Sequence, residues 1–108
     1  MLNSVVLIGR LGGDPELKYT QQGTAVTRFT IAVARKFKKE ETDWIDIVAW
    51  QGLAENVSQY LKKGSLCAVE GRSQVRSYEA QDGSKRKAVE VVAEDIRFLD
   101  SRRDDQSS

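Results

Sequence analysis

Two tryptophans flank a carboxylate in the stretch Thr42-Asp43-Trp44-Ile45-Asp46-Ile47-Val48-Ala49-Trp50, and no other spacing in the chain is as suggestive of chemistry. Extended backbone sends alternate side chains to opposite faces, so Ile45, Ile47 and Ala49 share one face and Trp44, Asp46, Val48 and Trp50 the other. The all-apolar set is the natural core face, which predicts outward-facing indoles. At about 3.3 Å per residue the two rings lie roughly 20 Å apart. That is too far to clamp one small ring between them and suits successive units of a chain. A single Trp covering a barrel end or an oligomer contact would read the same way; two of one parity around Asp46 favour a contact surface.

Cations gather where such a chain would carry negative charge. Between Arg35 and Lys39 four of five residues are basic (Arg35, Lys36, Lys38, Lys39), and the fifth is Phe37. Cations that track phosphates, set around a ring that stacks on a base, are the equipment of single-strand binders, although a charged hairpin tip is often only a solvated loop. Phe37 shares the parity of the core-directed Phe29, Ile31 and Val33, so an outward ring there requires a bulge or the end of the strand before it. Arg72, Gln74, Arg76 and Tyr78 form a second basic and aromatic row by alternation. Lys85-Arg86-Lys87 adds charge just past the Asp82-Gly83 turn. Arg28 falls on the polar face of its own strand. Lys62 follows a helical segment, where complementarity to the helix dipole explains it as well as phosphate does. The net charge is only +1, so phosphate contact at any of these positions rests on placement and not on global charge.

The chain contains no histidine and one cysteine. This excludes Ser-His-Asp and Cys-His arrangements and any Cys/His zinc site. Gly9, Gly12 and Gly13 lead to Asp14-Pro15 and not to a helix, so they do not make a phosphate-cradling loop. No pair of carboxylates stands isolated in an apolar run, where raised pKa values would be expected. Neither catalysis, a cofactor nor a metal is expected. Cys67, inside Leu66-Cys67-Ala68-Val69, reads as a small buried hydrophobe. No apolar run reaches membrane-span length and the N-terminus lacks signal-peptide character, which predicts a cytoplasmic protein with no membrane partner.

The elements that must position these residues follow in order. Leu2 to Leu11 is a strand apolar on both faces, Val5 and Leu7 against Val6 and Ile8, so its second face requires a central place in the domain or a second subunit. Glu16 to Thr20 is a short strand between turns. Thr24 to Lys36 places Phe29, Ile31 and Val33 inward and the small residues Thr30, Ala32 and Ala34 outward, a shallow surface beside Arg28. Gln51 to Lys63 switches to helical spacing, with Leu53, Ala54, Val57, Tyr60 and Leu61 on one stripe. Leu66 to Tyr78 is the longest strand, with Cys67, Val69 and Val75 inward. A return strand runs through Val92, and Ile96 and Phe98 anchor a last short one. The 108 residues allow one domain: an all-β, five-stranded antiparallel Greek-key barrel of the OB type over residues 1 to 99, with one helix between the third and fourth long strands. The apolar-free tail, 100 to 108, is expected to be disordered.

Several segments in sequence strengthen this reading: Val5-Val6-Leu7-Ile8-Gly9-Arg10-Leu11 with Asp14-Pro15-Glu16, Thr42-Asp43-Trp44, Val48-Ala49-Trp50, Leu53-Ala54-Glu55, Tyr60-Leu61-Lys62-Lys63-Gly64-Ser65 and Val69-Glu70-Gly71-Arg72. Together they resemble the bacterial single-stranded DNA-binding proteins. The resemblance implies an OB-fold in a D2 homotetramer with single-stranded DNA wrapped around it, and by position Phe37, Trp44, Trp50 and Tyr78 match the family's base-stacking aromatics. Ile45-Asp46 departs from the polar or basic pair frequent there, which argues against a phosphate contact at Asp46. The Gly/Gln/Pro-rich linker and acidic Pro-Phe tip of the family are not seen before Ser108, so tip-mediated recruitment of replication and repair proteins is expected to be absent. The competing functional reading is an OB-fold protein-interaction or primosome-accessory subunit, whose exposed rings meet protein and whose DNA binding is weak.

Overall fold

The computed structural model describes residues 3–35 and 40–99. Six strands and one helix follow one another: β1 (Val5–Leu11), β2 (Glu16–Tyr19), β3 (Ala25–Ala34), β4 (Thr42–Trp50), α1 (Gln51–Tyr60), β5 (Leu66–Glu79) and β6 (Lys85–Phe98). The expected tail and the expected tip cluster Lys36 to Lys39 lie outside the described residues.

The hydrogen-bonded order is β1-β5-β6-β4-β3-β2, and β3 pairs β1 as well. The pairings therefore return to the first strand through five long strands, with the four-residue β2 added at the edge of β3. One contact departs from the all-antiparallel expectation. β4 and β6 run parallel where they meet, Asp46 to Val48 against Glu90 to Val92. A parallel contact between these two strands requires the long β4–α1–β5 excursion that separates them in sequence.

Alternation sorts β1, β3 and β4 into two faces largely as the sequence implies. Val5 and Leu7 pack against the core while Val6 and Ile8 are exposed; Phe29, Ile31, Ile47 and Ala49 are buried. Leu11, Val57, Cys67, Val69, Val91 and Ile96 complete the same cluster, and burial of Cys67 accords with its reading as a small hydrophobe.

Three expectations need correcting. The return strand and the last short strand are one, β6, interrupted by a bulge: Glu70 and Gly71 of β5 face Asp95 and Ala93, with Glu94 the extra residue. The insertion flips the parity, which is why Val91 and Ala93 are buried before it and Ile96 after it. Gly71 permits the close approach, since a Cβ there would stand 2.1 Å from the Val92 carbonyl oxygen. Second, α1 ends at Tyr60, with the Leu61 amide still donating to Val57 O at 2.9 Å. Lys62 and Lys63 lie beyond it, so the dipole account of them falls away. Here the Lys63 amide donates to Asp14 Oδ1 and Gly64 to Leu11 O, both at 2.8 Å, tying the helix exit to the end of β1. Ala54, Val57 and Leu61 bury the stripe, but Tyr60 turns outward against Phe98, ring centroids 6.0 Å apart. Third, Val75 has core parity and yet is exposed. β1 covers β5 only as far as Gly71, and β4 meets β6 only at Glu90 to Val92. Among the described residues the rest of the β5–β6 hairpin pairs with no further strand and forms an arm two strands wide.

Candidate nucleic-acid interface

Directly paired residues of a sheet point to the same side, so register alone lays out the outward face of β3, β4, β6 and β5 in rows. Val26 stands beside Trp50 at one margin. The next row is Arg28, Val48, Val92 and Arg72; the one after it is Thr30, Asp46, Glu90 and Gln74. Ala32 then neighbours Trp44 on one side of the sheet and Ala88 neighbours Arg76 on the other, and the arm continues with Arg86 opposite Tyr78.

Both indoles look outward, Trp44 at 61% and Trp50 at 40% exposure, and Tyr78 is comparably open. Val48, of the same parity, is fully buried between its cross-strand neighbours Arg28 and Val92, so the face has a floor between its rings. Each ring is held differently. Trp44 sits on the β1–β2 turn: a Cβ at Gly12 would come within 2.7 Å of its Cζ3. Trp50 is the extended residue from which α1 starts, and Gln51 immediately after it takes a left-handed φ of 61°. Tyr78 has the Arg76 guanidinium 5.6 Å from its ring centroid, within cation–π range.

The charges are less open than the sequence suggests. Arg35 donates from Nε and Nη2 to Asp43 Oδ1 and from Nη1 to Glu41 Oε1, at 2.9 to 3.1 Å. Arg72 faces Glu94 at 3.5 Å and Arg86 faces Asp82 at 3.5 Å. Arg28 and Arg76 approach one oxygen of Glu90, Nε to Oε1, at 3.6 and 3.4 Å. Ser84 holds the Asp82 carboxyl below its ordinary range by donating from its hydroxyl and its amide, with Arg86 a smaller contributor. Lys85 and Lys87 are exposed on the arm. Lys62 is exposed past the far end of α1 from Trp50, beside Asp14 and Pro15, and is not brought to this face. Lys36, Phe37, Lys38 and Lys39 are outside the described residues.

Two residues of this face escape the sequence reading. Glu90 is 3% exposed, and its signal is a lone carboxylate within Ala88-Val89-Glu90-Val91-Val92. Gly12 carries no signal beyond turn composition. Among the described residues no group of three or more His, Cys, Asp or Glu is placed to hold a metal, and no helix is long and apolar enough to cross a membrane.

Exposed rings spaced along one face of a mostly β domain, with cations at the margin, are features that stacking modules use. The comparison with known families is specific. The chain belongs to the single-strand binding protein family, whose description matches residues 2–99. It is 52% identical over 106 residues to "Single-stranded DNA-binding protein 3" of Listeria innocua, covering 94% of this chain and 66% of that relative. It is 51% identical to "Single-stranded DNA-binding protein A" of Bacillus subtilis, covering 94% and 62%, and 54% identical to "Single-stranded DNA-binding protein 3" of Clostridium acetobutylicum, covering 92% and 72%. The chain thus spans less than two thirds of the length of the first two.

Proposed function

We propose that this chain binds single-stranded DNA with little regard to sequence, as an OB-fold barrel and without chemistry, in replication, recombination, repair or DNA uptake. The observation that carries the reading is the outward placement of Trp44 and Trp50 on one sheet face, with Tyr78 beyond them. Every base has a π-face, so stacking on spaced rings tolerates any sequence. At ~1–3 kcal/mol per base, Trp44, Trp50, Tyr78 and Phe37 together supply several kcal/mol, which a net charge of +1 does not match. Lys85 and Lys87 on the arm, and arginines whose partners are exposed carboxylates, take phosphates at the rim; an exposed ion pair is worth ~0–1 kcal/mol and yields readily.

Assembly follows from β1. Val6 and Ile8 are 67% and 55% exposed on one strand face, apolar surface that a second copy would cover. A homotetramer of D2 symmetry is the arrangement we infer, in keeping with the family.

Titration of Trp fluorescence with oligo-dT is the test. Quenching is expected with wild type, and Trp44→Ala or Trp50→Ala loses ~1–3 kcal/mol of affinity with unchanged circular dichroism. Unaltered affinity in both variants would reject stacking; rings that are quenched by a protein partner and not by oligo-dT would mark a protein-interaction subunit instead.

A further inference from the structure

Across the middle of the face runs one row whose only charges are carboxylates, and one of them cannot turn away. Thr30, Asp46, Glu90 and Gln74 lie side by side across β3, β4, β6 and β5, a row about 14 Å long at the spacing of paired strands. It is hydrogen-bonded at both ends: Thr30 Oγ1 donates to Asp46 Oδ1 at 3.2 Å, and Gln74 Nε2 donates to Glu90 Oε2 at 3.1 Å. The row bears two carboxylates and no cation, and it runs between the strand positions of Trp44 and Trp50.

The two arginines nearest this row differ from the others. The partners of Arg35, Arg72 and Arg86 are exposed carboxylates, which rehydrate when a phosphate takes the guanidinium. The Glu90 side chain is only 4% exposed. If Arg28 and Arg76 both left it for phosphate, a buried charge would stand unpaired, which proteins avoid strongly. Glu90 therefore cannot release both arginines to a polyanion at once, while Asp46 beside them repels one directly.

We propose that Glu90 and Asp46 are specificity-determining residues: a fixed anionic row that keeps a phosphate backbone off the centre of the face. A single strand avoids the row by laying its bases toward the sheet and its phosphates at the rim. Duplex DNA, whose phosphates line its outside, has no such choice. Selection for unpaired strands is then built from repulsion as well as from stacking. This inference rests on the single-strand reading of the face.

The experiment compares wild type, Asp46→Asn and Glu90→Gln for binding of oligo-dT, an abasic phosphodiester strand of equal length, and duplex DNA across a salt series. In both variants the preference for oligo-dT over the abasic strand and the duplex is expected to fall about tenfold at low salt, with the log–log salt slope for the abasic strand steepening by about 0.7 per phosphate gained. Unchanged preferences and slopes in the folded variants would overturn the proposal. So would a loss of oligo-dT affinity with no gain for the abasic strand, which would make Glu90 an orienter of phosphate-binding arginines instead. Asp46 is exposed, so Asp46→Asn decides the matter if Glu90→Gln does not fold. Failure of wild type to bind oligo-dT would reject the single-strand reading itself; wild-type binding with variants that discriminate as before rejects only the anionic row.

Discussion

The indole of Trp44 approaches the backbone at residue 12 as closely as it does because Gly12 has no Cβ. An added methyl would stand 2.7 Å from Cζ3, and since the ring is largely exposed it would tilt instead of unfolding the turn. Gly12→Ala is therefore expected to leave the melting temperature nearly unchanged while weakening oligo-dT binding by less than Trp44→Ala does. A Trp50→Phe background isolates the Trp44 emission that would report the tilt. An unmoved spectrum with wild-type affinity would show that the contact does not orient the ring.

At the scale of elements, two junctions set the face. The chain passes from β4 into α1 through Gln51, whose φ of 61° costs an L-residue ~1–2 kcal/mol. Glycine relieves that strain but adds unfolded-state entropy, so Gln51→Gly is expected to stabilise the fold by roughly 0.5–1 kcal/mol. Gln51→Ala brings no such gain, and urea melts of the two variants make the comparison. The second junction is the β5–β6 turn. Asp82 has its pKa lowered from 3.8 by the Ser84 hydroxyl, then the Ser84 amide, then Arg86. A lowered folded value means that the turn is supported above the ordinary value and loses support as pH falls through the folded one. The Ser84 amide should accordingly exchange faster, relative to its intrinsic rate, in acid below 3.8 than at neutral pH; equal protection would remove the Asp82 contribution. The arm beyond this support carries Val75 opposite Val89, both 63% exposed. Among the described residues its strands are held to each other by cross-strand pairs.

For the whole molecule, the decisive surface is the outer face of β1. Val6 and Ile8 are exposed there, apolar surface of the kind a second copy covers. Light scattering is expected to give a multiple of the single-chain mass, and Ile8→Asp to reduce it without loss of secondary structure. A wild-type chain of single mass would remove the assembly while leaving the binding face untouched, because the rings of β4 and the apolar pair of β1 lie on different strands of the sheet order.

Much of this was readable in the chain. Alternation in β1, β3 and β4 is a local property: side chains alternate whatever the neighbours are, so an apolar set at every second position identifies the core face and sends Trp44 and Trp50 to the other. The family segments, too, are matters of residue order. Reading failed where contacts come from distant parts of the chain. Val75 and Tyr60 have core spacing, but among the described residues Val75 is paired only with the equally exposed Val89 of β6, and the helix stops at Tyr60. The bulge at Glu94 reverses parity because Gly71 admits the Val92 carbonyl, a fact of pairing and not of pattern. Above all, the parallel meeting of β4 with β6 places Asp46 beside Glu90 and gives Arg28 and Arg76 a shared buried partner. The sequence by itself determined which residues of β1, β3 and β4 share a face, because pleating is local. Only the tertiary structure decided which charges stand together there, because cross-strand register is set by the closure of the entire sheet.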